Sequence, residues 1–131
     1  MKNTIFKLLE YSYYFSLLIL FVLYLFPGSL IGYLLYGNLG QQPDLISNPI
    51  GTSINHLIFF FYLTTLGLVA RLKYQNFLNS FTFLFSLSVL LELAHWLTPN
   101  RAFEYYDLFA NSIGVATAYL LINIFFKLKI K

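Results

Sequence analysis

Six polar residues and one glycine in this chain have types and spacings that could support chemistry: His56, Glu92, His95, Arg101, Asp107, Asn111 and Gly114. Glu92 and His95 are three apart, which places them on one face of a helix. Asp107, Asn111 and Gly114 follow i, i+4, i+7, and Ala118 continues at i+11. A second helix therefore carries a stripe that is polar at one end and small further in. Arg101, between the two, can fold back onto Glu92, Asp107 or both as a bidentate guanidinium–carboxylate pair. Imidazoles with carboxylates are also ligand types of a zinc, magnesium or manganese hydrolase, and Glu-x-x-His occurs in helical metal sites. One such pair is a weak signal, and His-Glu-x-x-His is absent. A cationic Arg101 beside the carboxylates would oppose a metal ion. We therefore expect no metal and no other cofactor.

The elements that must position these residues follow from where charge is missing. The chain has 131 residues with eight basic and five acidic side chains, 10% in all. Soluble domains carry about 25%. No charge falls in residues 11–43, 45–70, 74–91 or 108–126. A bilayer-spanning helix needs about 20 mostly apolar residues, and each gap holds one. The expected fold is an all-α integral membrane four-helix bundle with spans at about 5–26, 54–70, 77–97 and 107–126. Cysteine is absent, so disulfides and thiolate chemistry are excluded.

Lys2, Lys7, Arg71, Lys73, Lys127, Lys129 and Lys131 fall on one side of this topology, and Arg101 alone on the other. The positive-inside rule then places both termini in the cytoplasm. The expected location is the bacterial cytoplasmic (inner) membrane, multi-pass. The net charge of +3 is a topology signal and implies no nucleic-acid partner, because the basic residues are divided among helix ends. No small-x-small cleavage site follows the first apolar run, so it is expected to be a retained span. Residues 27–53 form a long outer loop. Within it, residues 29–36 are too short to span and read as an interfacial helix or a re-entrant segment. Thr52 or Ser53 is the expected N-cap of the second span. Tyr11, Tyr13, Tyr14, Trp96, Tyr105 and Tyr106 suit the headgroup level. His56, Glu92 and Asn111 then lie at similar depth near the outer helix ends, so the polar cluster faces outward.

Glu92-Leu-Ala-His95, then Pro99-Asn-Arg101, then Asp107-Leu-Phe-Ala-Asn111-Ser-Ile-Gly114 resembles the VanZ-like family. Its pattern runs E-x-x-Q, a Pro-Gly-Arg-like turn, then D-x-x-x-N-x-x-G. His56 is similar to the family's histidine in a D-K-x-x-H segment. The resemblance covers about residues 50–118, and the four-span topology suits a single domain over residues 1–131. Here His95 replaces the family's Gln, Thr52 and Ser53 replace its Asp and Lys, and Ala118 replaces its last Gly. The resemblance implies a membrane fold and a candidate site, and a link to glycopeptide (teicoplanin) antibiotic resistance. It implies no particular reaction.

Three functions compete on these residues. The first is a non-catalytic accessory or structural subunit of a larger membrane complex, with the charges fixing helix register. The second is a binding site for a lipid headgroup, a lipid-linked cell-wall intermediate or a glycopeptide, since ionisable groups at membrane depth are functional candidates. The third is a metal-dependent membrane hydrolase. The accessory role leads, and the balance leans away from an enzyme.

Overall fold

A computed structural model describes residues 2–43 and 51–129, which form five helices and no strand. They are α1 (Lys2–Leu25), α2 (Leu30–Tyr36), α3 (Gly51–Arg71), α4 (Phe81–Ala94) and α5 (Tyr105–Lys129). Asp44 and the Asn48-Pro49 turn lie outside the described residues, as does the Thr52 side chain. Three helices, α1, α3 and α5, are long and apolar enough to cross a membrane.

Each long helix buries a narrow stripe. α1 contributes Tyr13, Leu17, Leu20 and Tyr24, spaced i, i+4, i+7, i+11. Phe60 and Leu63 of α3, Leu84, Leu87 and Leu91 of α4, and Val115 of α5 complete the core. The opposite faces are apolar too: Phe15, Leu18, Leu120 and Phe125 are all exposed. In water so continuous an apolar exterior would be an aggregation surface. Against lipid it carries no penalty, and with the helix lengths it marks a membrane protein.

The chain leaves α1 because Pro27 follows, which disfavours helical geometry at Phe26 and offers no N–H. α2 then forms within residues 29–36, the segment expected as an interfacial helix or a re-entrant piece. Ser29 caps it, accepting from the Gly32 amide at 2.9 Å. The return segment lies so close that a Cβ on Gly32 would sit 1.6 Å from the Gln41 carbonyl oxygen. Asn55 of α3 holds that segment by donating to the Pro43 carbonyl at 2.7 Å.

Two expectations change. α3 begins at Gly51, so Ser53 lies inside its first turn; its hydroxyl bonds Asp107 and does not cap the helix. The expected span 77–97 contains only the 14-residue α4, roughly 21 Å of helix against a hydrocarbon core of about 30 Å. Phe77, Leu78, Trp96 and Leu97 read as span residues because they are apolar, but they occupy turns. Before α4, Asn76 and Asn79 accept from each other's backbone amides at 3.2 and 3.1 Å, which competes with helix formation. After it, His95, Trp96 and Leu97 donate three residues back, to Glu92, Leu93 and Ala94, the tighter pattern of a helix ending.

α3 and α5 make the most extensive helix–helix contact. It depends on Gly114, where a Cβ would lie 2.6 Å from the Leu57 carbonyl oxygen. Ala118, a turn further in, is fully buried. Small residues at these positions let two backbones approach in lipid.

Candidate functional site

The C-terminal ends of α1 and α4 meet the N-terminal ends of α3 and α5, away from the chain termini. Five of the seven sequence-derived candidates converge there: His56, Glu92, His95, Asp107 and Asn111, all buried. Glu92 and Asn111 are 0% exposed, so their polar atoms must find partners inside the protein.

They do so mainly with each other. Ser53 donates to Asp107 Oδ1 at 2.5 Å, and His56 Nε2 stands 3.5 Å from Asp107 Oδ2. Glu92 Oε1 faces His95 Nδ1 at 3.2 Å and accepts from the Glu104 amide at 3.2 Å. Glu92 Oε2 lies 3.9 Å from His56 Nδ1 and 3.4 Å from Asn111 Nδ2. The i, i+3 spacing brings Glu92 and His95 together as expected, and the i, i+4 spacing puts Asp107 and Asn111 on the buried face of α5.

Tyr24 ties the group together, and sequence reasoning missed it. Its hydroxyl donates to Asn111 Oδ1 at 2.9 Å and lies 2.7 Å from His56 Nδ1. Its ring stacks on His95 with centroids 5.3 Å apart. The available signal was its place on the stripe with Tyr13, Leu17 and Leu20. Ser53 and Ser88 were also missed as site residues; the Ser88 carbonyl accepts from Asn111 at 3.4 Å.

Arg101 behaves differently from expectation. Among the described residues it forms no salt bridge with Glu92 or Asp107. Its Nη2 donates to the Leu23 carbonyl at 2.9 Å. In an uninterrupted helix that carbonyl would accept from residue 27, but Pro27 has no N–H. Arg101 therefore satisfies an orphaned carbonyl at a helix C-terminus, where a cation is also favoured by the helix dipole. Burial lowers the Arg101 pKa from its ordinary value, and Glu92 and Asp107 pull it upward. Burial, followed by repulsion from Asp107 and Glu92, raises the pKa of Glu104. Gly114 is a packing position below the cluster, not a ligand-facing one.

Beside the network lies a cavity of about 130 Å³. Its polar lining includes Tyr24, Asn55, His56, His95 and Arg101, and its apolar lining Leu23, Leu30, Ile31 and Phe59. Among the described residues four buried side-chain polar atoms have no partner: Asn55 Oδ1, Thr64 Oγ1, His95 Nε2 and Arg101 Nε. All but Thr64 belong to residues that line this cavity.

No curated protein and no solved structure matches the chain. The VanZ/LLP1 family model matches residues 13–126, a stretch that holds every residue of the cluster, and the chain belongs to that family.

Proposed function

We propose that this VanZ-family protein binds the phosphorylated headgroup of a lipid, of the kind that carries cell-wall intermediates, in the cavity beside the cluster. The observation that carries this reading is that Asn55, His95 and Arg101, each with a buried, unpartnered polar atom, all line one cavity. Leaving such groups unpaired costs about 1–3 kcal/mol each, a cost that a guest with matching groups removes. The Arg101 guanidinium brings charged donors for phosphate oxygens to the lining, and the Asn55 side-chain amide brings a partner for a hydroxyl or amine. Leu23, Leu30, Ile31 and Phe59 suit the first carbons of a lipid chain. A cavity of about 130 Å³ has room for a phosphate-sized group.

The topology in this proposal has α4 and its flanking turns as a fourth crossing of a bacterial cytoplasmic membrane, with both termini cytoplasmic and the cavity facing outward. The basic residues at one set of helix ends support it.

A second reading, an accessory or structural subunit, is supported by the bonds from Ser53 to Asp107 and from Tyr24 to Asn111. These tie α1, α3 and α5 in register with no guest required.

Native mass spectrometry from a mild detergent separates the two. The headgroup reading expects a phosphorus-containing lipid retained by wild type and by Leu120→Ala, and lost from Arg101→Gln at unchanged helicity. Wild type free of such lipid, or Arg101→Gln that keeps it, rejects that reading. A second protein retained at fixed stoichiometry supports the accessory one.

A further inference from the structure

The hydrogen-bond network fixes the protons around His56. Asn111 Nδ2 faces two acceptors, the Ser88 carbonyl and Glu92 Oε2, so the amide oxygen must point at Tyr24. The Tyr24 hydroxyl spends its one hydrogen on that oxygen. The 2.7 Å contact between Tyr24 and His56 Nδ1 is then made with a hydrogen from the imidazole. A neutral His56 therefore carries its proton on Nδ1 and turns the Nε2 lone pair toward Asp107 Oδ2, 3.5 Å away. Two electron-rich atoms face each other across that gap. A positive species belongs between them, either a second ring proton or a metal cation.

We propose that His56, Glu92 and Asp107 form a site for a divalent transition-metal cation of the zinc or manganese type. One donor atom from each lies within 4.8 Å of the other two, and all three residues are buried. Metal–ligand bonds of about 2.0–2.2 Å bring donor atoms to roughly 3–3.5 Å apart. The His56 Nε2–Asp107 Oδ2 separation of 3.5 Å already fits, and the Glu92 donor, within 4.8 Å in the present arrangement, moves closer on loading.

The surrounding bonds hold the three residues in the manner of metal ligands. Each residue has its other polar atom held: His56 Nδ1 by Tyr24, Asp107 Oδ1 by Ser53, and Glu92 Oε1 by His95 and the Glu104 amide. Outer partners of this kind orient metal ligands and fix the histidine tautomer. One imidazole and two carboxylates suit zinc or manganese. Charge points the same way. Arg101, which sequence reasoning set against a cation, is turned to the Leu23 carbonyl. Two buried carboxylates are thus left without a salt bridge to Arg or Lys among the described residues. This inference stands on the network alone and does not depend on the headgroup reading.

The test uses full-length protein in mild detergent, stripped with a chelator, loaded with zinc or manganese chloride, desalted and assayed for metal by mass spectrometry. Wild type and the exposed-face control Leu120→Ala should retain about one equivalent per chain. Asp107→Asn and Glu92→Gln should retain none, and Ser53→Ala, one bond further out, should bind roughly 10–100-fold more weakly. Wild type that retains neither metal, or Asp107→Asn that retains the full equivalent, overturns the proposal. If the ligand variants do not fold, X-ray absorption of loaded wild type decides. A first shell of one imidazole nitrogen and carboxylate oxygens supports the site, and a shell lacking imidazole overturns it. Arg101→Gln should lose lipid and keep metal, so either reading can fail without the other.

Discussion

At the end of the helices that carries the chain termini, polar side chains mostly bond to nearby backbone. Arg71 donates to the Asn76 carbonyl at 2.5 Å and to Asn79 Oδ1 at 3.2 Å. Asn79, fully buried, also donates to the Tyr74 carbonyl at 2.6 Å. Tyr13 donates to the Leu78 carbonyl, and Asn76 donates to the Tyr14 hydroxyl. Most of these bonds join residues of one turn, and the rest staple that turn to α1. At the opposite end, ionisable side chains bond to one another across helices, with partners such as Tyr24 and Asn111 drawn from α1 and α5. There several buried atoms are left over, on residues that line a cavity. Asparagines bonded to a turn's own backbone lock that turn. A network of carboxylates and imidazoles with spare valences can instead accept a guest.

The strongest way to break this contrast is to separate the helices that both ends share. Gly114→Val should push α5 from the Leu57 carbonyl and cost at least about 1–3 kcal/mol from overpacking. Thermal unfolding in detergent should fall steeply, with metal and lipid retention lost together. Survival of either at wild-type level would show that the site does not need the close α3–α5 approach.

Two variants of intermediate effect should sharpen the contrast by dividing it. Asn79→Ala strands the Tyr74 carbonyl and should cost about 1–3 kcal/mol, with metal retention unchanged in the folded fraction. Tyr24→Phe should cost a similar amount and weaken metal retention, because His56 and Asn111 both lose the hydroxyl. Equal effects of the two variants on metal would erase the difference between the ends.

The smallest expected effect is favourable. Thr64 is fully buried with an unpartnered hydroxyl and does not line the cavity. Thr64→Val should stabilise the fold by on the order of 1 kcal/mol and leave both retentions unchanged. Destabilisation in the unfolding scan would show that this hydroxyl has a partner.

Much of this was legible in the sequence, for physical reasons. Charge-free windows mark α1, α3 and α5 because hydrocarbon excludes ionised groups. The same windows overextended α4, because apolarity at Phe77, Leu78, Trp96 and Leu97 says nothing of whether the backbone turns there. The pairing of Glu92 with His95 and the α5 stripe from Asp107 to Ala118 follow from helical spacing alone. Tyr24 was hidden because a tyrosine near a membrane boundary already has an ordinary explanation, and its partners are far away in the chain. Arg101 was assigned to the nearest opposite charges. The stronger claim on it came from Leu23, whose carbonyl loses its helical partner to Pro27. That claim can be seen only by following each backbone acceptor to its donor.

The bond between Arg101 and Leu23 also sets an order of events during synthesis. Helix α1 emerges early, with the Leu23 carbonyl exposed, and its cap is made 78 residues later. His95 and Arg101, both cavity-lining residues, arrive in the same late stretch. A ribosome-bound chain that has inserted only α1 through α3 therefore has neither the finished helix end nor the finished cavity. The site closes only once the α4–α5 connection has folded back over α1, so neither proposed guest has a complete site before that stretch is in place.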